Sequence, residues 1–388
     1  MTADTTVRQG PLTGVRVIEL GGAGPVPFCC QLLSDLGADI LRIDRPPGYD
    51  GGAPVDARFN LLNRGRRSAA LNLKHPDAVA TLVELVSRAD VLVEGFRPGV
   101  AEGLGLGPDD CLAVNPGLVY GRMTGWGQDG PLAKVPGHDI NYIALTGVLH
   151  SIGTAGGPPV PPLNLAGDFG GGALYLALGV VCALLERAGS GRGQVIDAAM
   201  VDGSASLMTL IYGLRAAGYW HDERGTNRLD SGAPWYGVYR TRDDRWLALG
   251  SNEARFWRNT LRVLGLDEAG MPDQHDRAAW PAVRERLAAV FATGTRAEWL
   301  ALAEGEEVCF TPVLSLDEAP SHPHLRARQT FVEVDGIVQP APAPRFSRTP
   351  GAIARPPARP GEHTDEVLGD WGISARRRAQ LRSVGAIV

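Results

Sequence analysis

Through its first two hundred residues the chain alternates short apolar runs with longer stretches whose apolar positions recur at helical spacing. "VRVIEL" (15–20) has the character of a buried strand and "GGAGPVP" (21–27) that of a turn. "FCCQLLSDLG" (28–37) reads as a helix stopped by Gly37, and "DILRID" (39–44) as a second strand, which together make a βαβ unit. The alternation continues with a helix over 76–88, strand "DVLVEG" (90–95), a short helix near 108–114, and strands "LVYGRM" (118–123) and "QVIDAAM" (194–200). This order predicts an α/β fold with a doubly wound parallel sheet. After about residue 220 the pattern changes to a hairpin over 234–251 around Asp243 and Asp244, followed by helices over 253–264, 277–292 and 295–303. A proline-rich stretch (339–361) is too poor in apolar residues for a core and reads as an extended connector; the tail is again helical, with Thr364 as its cap. The expected organisation is a large domain over 10–224, a smaller α+β domain over 225–330, and a connector with a C-terminal return to the large domain over 331–388.

Composition narrows the class. With 388 residues, 44% of them hydrophobic, the chain can bury a substantial core. The longest apolar run, about 170–185, is shorter than a bilayer span and lies mid-chain, so neither a membrane segment nor a signal peptide is expected. Five cysteines, an odd number without a CxxC pair, predict reduced and buried thiols in a cytoplasmic protein. A net charge of −5 argues against general nucleic-acid binding but permits a local cationic site for an anionic ligand. All but two of the 38 basic residues are arginine, and the two lysines, Lys74 and Lys134, complete no phosphate-binding loop. There is no HExxH and no GxSxG, which removes the commonest metal and serine hydrolase signatures. Gly22 and Gly24 with Asp44 about twenty residues on resemble a nicotinamide fingerprint, but Pro27 stands where the third glycine belongs and Arg45 follows the acid. No nicotinamide is expected.

Three acids and one histidine stand at helix starts. Asp168, in "LNLAGDFGGG", precedes three glycines and a long apolar helix; it suits a cap, since a carboxylate accepts unpaired amide hydrogens and is favoured by the helix dipole. Each glycine costs about 1 kcal/mol of helix stability relative to alanine, which implies that something approaches that backbone closely. Bare amides there suit an oxyanion or a phosphate. The loop "WGQDGPLAKVPGHD" delivers His138, a proton carrier near neutral pH, and Asp139, a cap, to the start of a second apolar helix. Glu253 opens a helix in the smaller domain, where first-turn acids are common.

Taken in order, "PLTGVRVIEL", "LLSDLGADILRIDRP", "LNLK", "VLVEGFRPGV", "GLVYGRMTGWGQDGP", "GHDINYIALTG", "PPLNLAGDFGGG", "GQVIDAAMVDG" and "PAPRFSRTP" resemble the class III CoA-transferase superfamily over about residues 11–370. Within it the likeness is to the racemases that act on 2-methylacyl-CoA thioesters. The resemblance implies a Rossmann-like CoA-binding large domain and an interlocked homodimer whose sites are shared between subunits. His138 and Asp168 would be the acid/base pair that inverts the 2-methyl centre, and Glu253 would orient the histidine across the dimer. Arg45, Leu71, Asn72, Leu73, Lys74, Gly95, Phe96, Arg97, Gly137, Asp139, Ile140, Asn141 and Tyr142 match CoA-contact positions. No metal is implied, and no cofactor beyond the CoA of the substrate. Gly103 stands where related racemases often carry an arginine, so one phosphate contact is in question. The competing activity is CoA transfer, with Asp168 as a nucleophile; against it, "LALGSNEARFW" lacks the glycine run of transferase small domains.

Overall fold

The computed structural model describes residues 9–46 and 56–388. They divide into two compact units: one comprises the described residues of Met1–Thr146, Leu163–Leu207 and Gln329–Val388, the other Gly147–Pro162 and Met208–Arg328. Residues 147–162 and 208–224, expected with the large domain, therefore belong to the second unit.

The first unit is built on six parallel strands: β1 (Arg16–Leu20), β2 (Asp39–Asp44), β3 (Arg67–Ala70), β4 (Val91–Glu94), β5 (Val119–Thr124) and β6 (Val195–Ala199), in the spatial order β3-β2-β1-β4-β5-β6. The central strands are apolar along their length because helices cover both faces. On one face α1 (Pro25–Asp35) packs with Tyr142 of α3 (Asp139–Leu145) and with α4 (Leu174–Ser190). On the other, α2 (Pro76–Val86) meets the C-terminal segment through Val367, Leu368, Trp371 and Leu381. The edge strand β3, "RSAA", escapes an apolar-pattern reading because it carries almost no apolar bulk. β6 is likewise an edge, with Val195 and Asp197 exposed.

The helical run containing Asp168 is longer than expected. A π-helical segment, Leu165–Ala173, leads directly into α4, so 26 residues form one rod, long and apolar enough by length and composition to cross a membrane. Leu176, Val180 and Ala183 of α4 are buried against the sheet. Packed against the other side of the π-helical segment is α5 (Met200–Leu207). Cys29, Cys30 and Cys111 are buried as expected, but Cys182 is exposed and Cys309 partly so: an apolar run need not be buried all round.

The second unit carries an antiparallel sheet of β7 (Tyr236–Arg240), β8 (Trp246–Gly250) and β9 (Phe310–Pro312). Helices α6 (Ala254–Val263), α7 (Trp280–Phe291) and α8 (Arg296–Ala303) pack on it around Trp235, Trp257, Trp280, Phe291 and Trp299. The β7–β8 turn falls at the expected acids, with Asp244 in the left-handed region at φ 56°.

The third stretch of chain returns to the first unit through a hairpin, β10 (Phe331–Val334) and β11 (Ile337–Pro340), so the proline-rich connector begins inside a strand. Thr364 does not cap its own helix: it is the first residue of α9 (Thr364–Asp370), and its hydroxyl accepts the β3 amide of Ala70 at 3.2 Å. Arg64 clamps the return. Its Nε and Nη2 donate to the two carboxylate oxygens of Asp35 at 3.2 and 2.6 Å, and its Nη1 donates to Gln339 Oε1 at 2.9 Å and the Pro340 carbonyl at 2.7 Å. Burial pushes the Asp35 carboxyl up and the guanidinium pulls it back. Removing one member of a buried pair strands the other, so Arg64→Ala should cost about 3–5 kcal/mol in chemical denaturation. A loss under about 1 kcal/mol would mean that the clamp carries little of the fold.

Candidate active site

Strand β1 pairs with β2 on one side and β4 on the other, so chain connections leave it in opposite directions and their carboxyl ends diverge. At that divergence lies a cleft of about 480 Å³. The turn after β1 supplies Ala23 and Gly24, the turn after β4 supplies Gly95 to Pro98, and the end of β5 supplies Met123 to Trp126. His138, Asn141 and Tyr142 line it from the start of α3, and Asp168 from the π-helical segment.

His138 precedes the first turn of α3 in an extended conformation and is exposed, with its amide donating to Asn141 Oδ1 at 3.0 Å. Tyr142 wedges beneath it: the hydroxyl donates to the Gly137 carbonyl and the ring meets Trp126 edge-on at 4.8 Å. A β-carbon at Gly125 would lie 2.0 Å from that ring and one at Gly137 2.8 Å, which accounts for both glycines.

Asp168 does not cap a helix. Its Oδ2 accepts from Asn164 Nδ2 at 3.1 Å, and its own amide donates to Asp139 Oδ1 at 2.7 Å. Burial raises its pKa above the ordinary carboxylate value; the Asn164 hydrogen bond and His138 pull down, while the charge of Asp139 pushes up. Gly24, at φ 65°, abuts the same carboxylate, and a β-carbon there would fall 2.7 Å from Oδ2.

The three glycines after Asp168 serve packing, not the approach of a ligand. A β-carbon at Gly171 would lie 2.6 Å from the Ser204 amide nitrogen of α5, and one at Gly172 2.9 Å from Met200 Cγ. Helix α5 answers with its own glycine: a β-carbon at Gly203 would sit 1.8 Å from the Gly171 carbonyl oxygen. Protein fills the space that the sequence reading assigned to an anion.

Of the expected contact residues, Gly95, Phe96, Arg97, Gly137, Asn141 and Tyr142 line the cleft with His138 and Asp168. Arg45 follows β2 and residues 71–74 follow β3, so they stand along the same carboxyl edge of the sheet but outside the cleft. Arg45 and Lys74 are exposed there, whereas Leu71 is buried and bridged to Ile387. Asp139 turns inward, and Ile140, 46% exposed, does not line the cleft. Gly103 ends a short exposed helix, Val100–Gly103, whose Glu102 is paired with Arg122 at 2.9 Å. Asp44 is buried and holds Ser68 Oγ at 2.6 Å and Arg42 at 2.7 Å. Glu253 lies in the second unit at the start of α6, exposed, with its carbonyl accepting the Trp257 amide. Asn164 carries no site signal in the sequence beyond its four-residue spacing from Asp168, which suits a shared helical face, and Gly24 stands out there only as part of a glycine turn.

A parallel sheet with its cleft at the switch point, holding an imidazole and a carboxylate, defines an α/β enzyme site. The chain belongs to CoA-transferase family III, which it matches over residues 12–364. It is 47% identical to alpha-methylacyl-CoA racemase of Mus musculus and 43% identical to that of Homo sapiens, in each case over 96% of both chains. It is also 32% identical to the succinyl-CoA–L-malate CoA-transferase beta subunit of Chloroflexus aurantiacus, over 98% of this chain and 99% of that one. A CAIB/BAIF family protein from Brucella suis superposes with a TM-score of 0.82 at 25% identity, covering 94% of this chain and all of that one.

Gly24→Ala tests the contact with Asp168. A methyl group there must displace the carboxylate, and a misplacement of about 1 Å is expected to lower turnover roughly 10²-fold. The KM for a CoA thioester should change far less, and the thermal midpoint should fall modestly because the backbone conformation suits glycine. Unchanged turnover in a folded Gly24→Ala protein would mean that the contact does not hold Asp168 in place.

Proposed function

We propose that this protein is a racemase of 2-methylacyl-CoA thioesters. The observation that carries the reading is the delivery of His138 and Asp168, from two separate helical segments, to one cleft; the racemases of mouse and man support it. Inversion removes the α-proton from one face and returns a proton to the other, so two groups must alternate as base and acid. In one direction the imidazole takes the proton, the C–H electron pair passes into an enolate, and the carboxylic acid of Asp168 protonates the opposite face. In the other direction the roles exchange, and the atoms balance without an oxidant or a second substrate.

The α-hydrogen of a thioester is about 10 pKa units less acidic than imidazolium, a deficit of roughly 14 kcal/mol. A helix dipole supplies at most about 2 kcal/mol, so hydrogen bonds to the enolate oxygen, each about 3–4 kcal/mol, must do more. The Asp168 amide is already committed to Asp139. The amides of Asp139 and Ile140, beside His138, are the donors we assign, since those of Asn141 and Tyr142 already meet the His138 carbonyl. Arg97 in the cleft, with Arg45 and Lys74 along the same edge of the sheet, would hold the phosphates of CoA.

The working form we propose is an interlocked homodimer in which Glu253 of the partner subunit orients His138. In support, α4 leaves Leu174, Leu178 and Leu185 50, 60 and 76% exposed along one face, an apolar stripe that a partner surface would cover. A second reading, CoA transfer through an acyl anhydride on Asp168, draws on the Chloroflexus relative and on the nucleophilic capacity of a carboxylate.

Incubation with a single-enantiomer 2-methylacyl-CoA in deuterated water, together with an acceptor acid, separates the two. Deuterium uptake with loss of optical purity is expected; a new thioester without uptake would establish transfer instead. His138→Ala and Asp168→Ala should each lower racemisation about 10²–10⁴-fold, and a variant that keeps wild-type rates removes that residue from the pair. Mixed dimers of inactive Glu253→Ala and His138→Ala chains should regain activity, whereas verified heterodimers that stay inactive would rule out a shared site.

A further inference from the structure

Asp139 follows the proposed base directly, yet its side chain points away from the cleft. It is 8% exposed, and its Oδ1 takes the amide of Asp168 at 2.7 Å. Its Oδ2 has no hydrogen-bond partner among the described residues. The fit is tight: a β-carbon at Gly167 would lie 2.3 Å from Asp139 Oδ1 and 3.2 Å from Ile143 Cγ2. Glycine at 167 is thus the condition for the carboxylate to reach the Asp168 backbone. One hydrogen bond consequently joins the neighbour of one proposed base to the main chain of the other.

A carboxylate is a costly way to make that bond. A neutral amide would accept the same N–H without placing half-satisfied charge in a buried position. The charge therefore calls for a reason of its own, and the group beside it supplies one.

We infer that Asp139 is a positioning residue: its carboxylate straps the start of α3 to the π-helical segment, fixing His138 relative to Asp168, and sets a like charge next to the Asp168 carboxylate. The inference rests on the racemase reading given above. Two bases that trade roles work best when their proton affinities are close, because each must be an effective acid in one direction. Ordinary imidazole and aspartate lie about 2.6 pH units apart. Burial of Asp168 narrows that gap, and the charge of Asp139 narrows it further, against the Asn164 hydrogen bond and His138. Tyr142, whose own phenol is pushed up by burial and then by the Asp168 charge, faces the carboxylate from α3. Arg97 lines the same cleft from the turn after β4, and the turn after β1 presents only Ala23 and Gly24.

Asp139→Asn separates the two roles, since its side-chain oxygen can still accept the Asp168 amide while the charge is gone; Asp139→Ala removes both. Three readouts are compared with the wild type: turnover and KM for a single-enantiomer 2-methylacyl-CoA, hydrogen exchange of the Asp168 amide, and NMR titration of the Asp168 carboxyl, assigned with Asp168→Asn. Asp139→Ala should lower kcat about 10²-fold with KM within about threefold, and should speed exchange of the Asp168 amide at least tenfold. Asp139→Asn should keep the amide protected and lose less turnover. The Asp168 titration should move to lower pH, because an ionised Asp168 no longer faces a like charge. Wild-type kcat and amide protection in Asp139→Ala would overturn the strap, and an Asp168 titration unmoved in Asp139→Asn would overturn the charge effect. A wild-type protein without racemase activity would sink the functional reading alone, since amide exchange and titration still decide the role of Asp139.

Discussion

The position of Asp168 depends on two backbones in direct contact. Where the π-helical segment crosses α5, Gly171 and Gly203 face one another, and neither side has room for a β-carbon. Close backbone approach is what glycine permits and every other residue forbids. The crossing presses the first turns of the long rod against α5, while α4 beyond it lies on β5 and β6. Asp168, on those same turns, lines the cleft at the switch point. The helix stability lost to three successive glycines is offset by this packing.

The central architecture was legible because its signals are local. β1, β2, β4 and β5 are apolar runs of strand length bounded by turn residues, and their pattern alone implies a parallel sheet. β3 was not legible, since "RSAA" takes its place through pairing with β2 and through the Thr364 hydroxyl, almost three hundred residues away. Residues 147–162 and 208–224 join the second unit by contacts that leave no mark on local periodicity.

At the site, residue types were easier to read than directions. His138 and Asp168 could be singled out from their helix starts and from the family resemblance, and both line the cleft. Asp139, grouped with the ligand contacts, turns inward instead. The glycine triplet was read as an opening for substrate because a sequence records the missing side chain but not what occupies its place. Leu71 shows the same limit, since it occupies a contact position by motif and is buried in the core.

The family contains racemases and CoA-transferases, and one aspartate can serve either chemistry, so the surroundings of the carboxylate must bias the outcome. A nucleophile benefits from being ionised and free to swing towards the thioester carbonyl. Asp168 is restrained in both respects. Burial and the charge of Asp139 favour its protonated form, while Asn164 and Gly24 bracket Oδ2 and limit its swing. A carboxyl that holds its proton more readily is a poorer nucleophile and a better partner for an imidazole, because returning a proton to an enolate is then less uphill. Anhydride formation needs no imidazole in the cleft, whereas two-base inversion needs one, and His138 is there. The environment of Asp168 therefore favours proton transfer over covalent attachment, through burial and charge placement more than through the identity of the residue itself.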